Sequence, residues 1–106
     1  MTKADAPGAG LPEGLLESLT ANLREYPTVD QAVLFGSRAM GTHRANSDID
    51  LCLDAPELPF ADYLKLAAMM EEQVAPYGLD LVLRHHVDNP EFLDHIRRVG
   101  VVVYRR

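Results

Sequence analysis

Between Val33 and Leu53 the chain places two aspartates, Asp48 and Asp50, two residues apart in an otherwise apolar segment, Ile49-Asp50-Leu51-Cys52-Leu53. In a β-strand, residues i and i+2 point to the same face. Asp48 and Asp50 therefore share one face, and Ile49, Leu51 and Leu53 share the other. Two unpaired carboxylates held side by side repel, and burying either costs several kcal/mol. A cation between them removes that penalty. Mg²⁺ suits such a site, because it takes few carboxylates and leaves the rest of its shell to water and phosphate. Upstream, an apolar run feeds the turn Gly36-Ser37-Arg38. Backbone N–H groups at a glycine-serine turn opening into a helical turn form a cradle for an anionic phosphate. Together, cradle and carboxylates point to nucleotide chemistry.

The surrounding pattern says what must carry these residues. At 106 residues the chain is long enough for one domain and one core. Residues 1–10, rich in Ala, Gly, Pro and Asp, read as a disordered tail, leaving 11–106 as the domain. Pro12-Glu13 opens a helix with Leu15, Leu16, Leu19 and Leu23 at helical spacing, closed by Pro27. Strands are expected at 31–35, 48–53, 79–83 and 101–104. A long helix is expected over 60–75, with Tyr63, Leu64, Ala67, Met70 and Val74 turned inward. Asn89 caps a last helix that has Pro90 at its first position and ends at Gly100. Alternating helices and strands, with one sheet face left open for Asp48, Asp50 and Asp80, predict an α/β (α+β) fold. Its small mixed sheet has helices packed on one face.

Charge and composition exclude several classes. A net charge of −6 argues against a stable nucleic-acid binder. Charge is uneven, since residues 84–106 hold five arginines against three acidic residues. That basic edge reads first as solvated surface and second as a contact for phosphate or an acidic partner. The single cysteine, Cys52, rules out an intramolecular disulfide and fits a reducing compartment. By strand parity it falls on the Asp48/Asp50 face, as a small filler and not a nucleophile. No apolar run reaches membrane-spanning length, and no signal segment opens the chain. The expected location is cytoplasmic. His85 and His86 read as surface loop, His43 and His95 as lone residues without ligand spacing, and Tyr104 as a packing residue.

The run Gly36-Ser37-Arg38-Ala39-Met40-Gly41-Thr42, then Arg44, then Ser47-Asp48-Ile49-Asp50-Leu51, resembles the active-site motif of the minimal nucleotidyltransferases. These are the smallest branch of the polymerase-beta-like superfamily. Leu79-Asp80-Leu81-Val82 resembles the strand bearing that family's third carboxylate, and residues 89–104 resemble its closing helix and strand. The resemblance spans about residues 12–106. Met40 departs from it, standing where many relatives carry a basic residue.

The resemblance implies the polymerase-beta-like core, ATP as substrate and two Mg²⁺ ions. Asp48, Asp50 and Asp80 are then the catalytic and metal-binding residues, and Gly36, Ser37, Arg38 and Ser47 bind nucleotide. For Ser47 a local bond to backbone is an equal account, and for Arg44 a solvated loop is. The acceptor-binding helical domain of antibiotic-modifying relatives is expected to be absent. A separate helical HEPN-type or substrate-binding protein is then implied, in a hetero-oligomer. In such pairs the nucleotidyltransferase acts as antitoxin of a type VII-like toxin–antitoxin system, by AMP transfer to a tyrosine of the HEPN toxin. Two alternatives stand beside this reading: a small-molecule nucleotidyltransferase with a separate substrate-binding subunit, and a non-catalytic antitoxin that acts by contact alone.

Overall fold

The computed structural model describes residues 10–106. The expected tail lies outside them but for Gly10, which is buried. Four helices and four strands follow in the order α1 (Leu15–Leu23), β1 (Gln31–Phe35), α2 (Gly36–Met40), β2 (Ile49–Asp54), α3 (Phe60–Val74), β3 (Leu79–Leu83), α4 (Pro90–Val99) and β4 (Val101–Arg105). A 3₁₀ turn, Arg84–His86, follows β3. The strands form one mixed sheet in the order β3-β2-β1-β4. β1 pairs antiparallel with β2 and β4, while β2 and β3, linked through α3, run parallel.

Strand parity separates two environments. Ala32, Leu34, Ile49, Leu51 and Leu53 point to one face and join Leu19, Leu23, Leu66 and Met70 in the main core. α1 and α3 cover this face. They are tied together by Asn22, whose amide donates to the Gln73 side-chain oxygen at 3.2 Å. Gln73 in turn donates to the Ser18 carbonyl at 2.9 Å. The fold class is the mixed α+β arrangement expected. The expectation that helices pack on one face alone is corrected in one respect. α4 lies against the second face, where Ile96 packs with Phe35 and Cys52. The apolar side chains Val33, Phe35 and Val82 on that face need a cover of their own, and α4 supplies it.

Some boundaries move. α1 starts at Leu15, after Gly14 in the left-handed region at φ +83°, rather than at Pro12. β2 starts at Ile49, leaving Asp48 just ahead of it. In α3 the inward stripe is Leu66, Met70 and Val74, and Leu64 is 52 % exposed. Leu64 and Leu66 stand about 200° apart round the helix, so only one can face the sheet. Asn89 caps α4 as expected, accepting from the N–H groups of Glu91 and Phe92 at 2.9 and 3.3 Å.

Removing a fully buried leucine forfeits its transfer energy and leaves a cavity. Leu66→Ala should therefore cost about 2–5 kcal/mol in urea unfolding, and Leu64→Ala no more than about 0.5 kcal/mol. Equal losses at the two positions would mean that α3 is rotated from the orientation described.

Candidate active site

Sheet register assembles the carboxylates. Phe35, the last residue of β1, pairs with Asp50, and Asp50 pairs across the parallel ladder with Asp80. Neighbouring strands lie about 4.8 Å apart, so Asp50 and Asp80 stand side by side. Asp48 lies one step before β2, against Gly78, where an added Cβ would come within 2.5 Å of its carboxylate. Asp48 and Asp80 are exposed and Asp50 is half-buried.

The electrostatics follow from this crowding. Burial holds the Asp50 carboxyl above its ordinary value, and repulsion from Asp80 and then Asp48 raises it further. Arg38 and His95 work in the opposite direction. A carboxylate whose ionised form is opposed by two like charges is one that a cation would relieve.

The donor set fits a hard divalent ion, being oxygen alone on an accessible face. It is not a closed cage. Among the described residues no three His, Cys, Asp or Glu side chains are gathered tightly enough to hold a metal by themselves. Mg²⁺ held by a few carboxylates and completed by water and substrate phosphate asks for no more.

Gly36 sits at the junction of β1 and α2 with φ +73°, in the left-handed region that disfavours side chains. A Cβ there would also collide with the Asp50 carboxylate. Ser37 follows in the first turn of α2, and its carbonyl accepts from Thr42 N–H at 3.0 Å. Among the described residues the Ser37 hydroxyl has no hydrogen-bond partner.

Two residues expected to bind nucleotide are engaged elsewhere. Arg38 is only 4 % exposed. Its Nε and Nη2 donate to the Ser47 carbonyl at 3.1 and 3.0 Å, and Nη1 donates to the Gly10 carbonyl at 2.8 Å. The guanidinium also lies 5.0 Å from the centre of the Tyr77 ring. Its donors serve the protein's own backbone, so Arg38 fastens the loop between α2 and β2 instead of reaching outward. Ser47 makes the local bond that was the alternative, its hydroxyl accepting from Arg44 N–H at 2.8 Å. Arg44 and Ser47 close a tight turn immediately before Asp48.

Two histidines matter more than their sequence context indicated. His95 packs edge-on to Phe35, centroid to centroid 6.5 Å, and its charge acts on Asp50. It lies three residues beyond Phe92, whose ring also meets Phe35, at 5.5 Å. That i, i+3 spacing was the available signal. His43 buries Nδ1 without a partner in the loop ahead of the site. His85 and His86 are exposed on the 3₁₀ turn, 4.3 Å apart and away from the carboxylates. Cys52 shares the Asp50 face but is buried under α4, and burial pushes its thiol up to about 11. It is a neutral packing group.

Comparison with known proteins identifies the family and the fold. The family model described as "Polymerase beta, Nucleotidyltransferase" matches residues 17–106, and the chain belongs to that family. No curated protein matches the sequence. Among solved structures, it is similar to a chain of a toxin–antitoxin crystal structure with AMP-PNP: 24 % identity, TM-score 0.70, 86 % of this chain and 73 % of that one covered. It is also similar to a chain from the complex of a tri-AMPylated Shewanella oneidensis HEPN toxin with its MNT antitoxin. There the identity is 19 %, the TM-score 0.65 and the coverage 87 % and 71 %. A third similar structure is a protein from Sulfolobus solfataricus described as a nucleotidyltransferase. Its identity is 18 %, its TM-score 0.58, and coverage is 100 % of this chain and 90 % of that one. At these identities the likeness is one of fold. No helix among the described residues is long and apolar enough to cross a membrane.

Asp50→Asn keeps the shape and removes the repelled charge. Because the folded state raises this carboxyl above its ordinary 3.8, the folded state holds its proton more tightly than the unfolded chain does. Wild-type stability should therefore fall as pH rises from about 3.8 through the folded value. The variant should be more stable than wild type at pH 7 without metal, and the advantage should vanish below pH 3.8. Thermal melts across that range measure it. A variant less stable than wild type at pH 7 would contradict the assigned repulsion.

Proposed function

We propose that this chain is a Mg²⁺-dependent nucleotidyltransferase that transfers AMP from ATP to a hydroxyl acceptor on a partner protein. The observation that carries the reading is the register that sets Asp50 beside Asp80, with Asp48 near and Gly36 clearing the Asp50 carboxylate. No packing requirement asks for three carboxylates at one sheet end, and their mutual repulsion works against the fold.

Asp48, Asp50 and Asp80 would hold Mg²⁺, two ions in the expected case. Bound there, the metal supplies electrostatic stabilisation of phosphate charge and favours the ionised acceptor. Gly36, by lacking a side chain, lets phosphate approach the backbone, and the unpartnered Ser37 hydroxyl is free to donate to it. Arg38 acts by positioning, since its bonds to the Ser47 carbonyl fix the residue next to Asp48. Asp80, on its own strand and exposed, stands where an acceptor enters and takes up the proton of its hydroxyl. The acceptor oxygen forms a bond to the α-phosphorus as the bond to the bridging oxygen breaks, and pyrophosphate leaves.

The similar complex of a tri-AMPylated HEPN toxin with an MNT antitoxin supports a HEPN-type toxin as the partner and this chain as antitoxin, and the sequence resemblance supplies a tyrosine as the acceptor. Calorimetry with Mg²⁺ and AMP-PNP, followed by mass spectrometry of the partner after incubation with ATP and Mg²⁺, tests both halves. Wild type should bind the nucleotide and add AMP to the partner. Asp50→Asn and Asp80→Asn should lower transfer by about a hundredfold or more, the scale of lost transition-state electrostatics. Gly36→Val should abolish nucleotide binding. Transfer unchanged in the aspartate variants would show the site to be misplaced. A partner bound and inhibited but never modified would make the chain an antitoxin by contact, and small hydroxylated compounds modified instead would make it a small-molecule enzyme.

A further inference from the structure

α4 divides the second face of the sheet. Phe92 and His95 turn toward Phe35 and the Asp50 carboxylate. Leu93, Ile96, Arg97 and Gly100, spaced i, i+3, i+4 and i+7, line the opposite flank. Between that flank and the strands lies a cavity of about 170 Å³. Val33, Cys52 and Val102 form its apolar inner surface. The space is comparable to an apolar protein cavity of about 150 Å³ that takes up a benzene molecule.

The mouth is charged. Asp54 and Arg84 lie there 3.8 Å apart as an ion pair. Arg97 also lines the cavity, and among the described residues it has no salt-bridge partner, whereas Arg98 beside it is held by Asp94 at 2.7 Å. The three charges at the mouth sum to +1. A single negative charge is matched, and a dianion is disfavoured by Asp54. Inside, the Cys52 thiol is neutral at physiological pH, so it offers contact and no covalent chemistry.

We propose that this cavity binds a small monocarboxylate with an apolar body of one ring or a short chain, its carboxylate on Arg97. Occupancy is transmitted to the Asp50 side through α4. The apolar body packs on Val33, Val102, Leu93 and Ile96. Because the occupant presses on one flank of a helix only ten residues long, His95 on the other flank moves with it. Binding in the cavity requires neither nucleotide nor metal, so it is tested separately from the function proposed above.

Benzoate and octanoate are suitable probes, with benzyl alcohol as the uncharged control. Melting temperature and the imidazole resonances of the intact chain are followed without metal or nucleotide. Benzoate or octanoate should raise the melting temperature as concentration increases, and the better of the two tells ring from chain. Benzyl alcohol should bind at least tenfold more weakly. Arg97→Glu should weaken the carboxylates at least tenfold and leave the alcohol unchanged. Val102→Phe, or Cys52→Met if the former does not fold, should fill the cavity and block all three. Among the histidines, His95 should shift on binding while His85 and His86 stay put. Failure of every probe to bind, or binding indifferent to both Arg97→Glu and cavity filling, overturns the site. Binding without a shift at His95 overturns the transmission through α4.

Discussion

Where β1 ends, the chain must turn sharply into α2 while lying against the carboxylate of Asp50, and only glycine at position 36 meets both demands. The positive φ alone would disfavour a side chain, and the contact with Asp50 leaves no room for one. Both effects come from the same antiparallel pairing, which sets Phe35 opposite Asp50 and so brings the following residue onto the carboxylate. Shifting that register by one residue would turn Asp50 into the main core and Leu51 out of it. Gly36, the strand register and the placement of Asp50 are thus one constraint seen from three sides. Gly78 repeats the device on the neighbouring strand, giving way to Asp48.

Arg38 is the second fixed point. A buried guanidinium must have its donors satisfied, and here the acceptors are carbonyls from two separated segments, at Gly10 and Ser47. The Ser47 carbonyl immediately precedes Asp48. The loop between α2 and β2, although exposed along most of its length, is therefore anchored at the end that leads into the carboxylates. The local Arg44–Ser47 turn tightens the same stretch. A basic residue beside a phosphate-binding motif invites a phosphate role. In this chain its donors are used one layer further in, on the backbone that leads into Asp48.

Asp48 and Asp50 could be read from sequence because period-two alternation leaves no freedom: apolar residues at 49, 51 and 53 fix the face of their neighbours. The cap at Asn89 and the bounds of β1 and β3 were legible for similar local reasons. The inward face of α3 was legible only in part: Met70 and Val74 face the core as expected, but Leu64 was placed inward where Leu66 is. Phe60, Leu64 and Met69 compete with Leu66 and Met70 for the same side, and periodicity cannot rank them; contact with the sheet decides. Arg38 was beyond local reading because its partners lie 28 and 9 residues away. His95 was missed because its importance comes from α4 crossing the second face. That placement is decided by Val33, Phe35 and Val82 needing cover, not by any motif around the histidine.

The division of labour between the two faces explains how so small a domain tolerates its site. Stability is drawn from the α1/α3 side, where Leu19, Leu23, Ile49, Leu53, Leu66 and Met70 are nearly or wholly removed from water. The cost of three repelling carboxylates falls at one end of the other face, where Asp48 and Asp80 stay exposed and solvent screens them. Only Asp50 is drawn partly inside, and burial together with its two like-charged neighbours raises its carboxyl. That residue sits between Gly36 and Asp80, where the turn from β1 into α2 meets the start of β3. The core beneath holds these carboxylates in place against their mutual repulsion, which a cation bound between them would relieve.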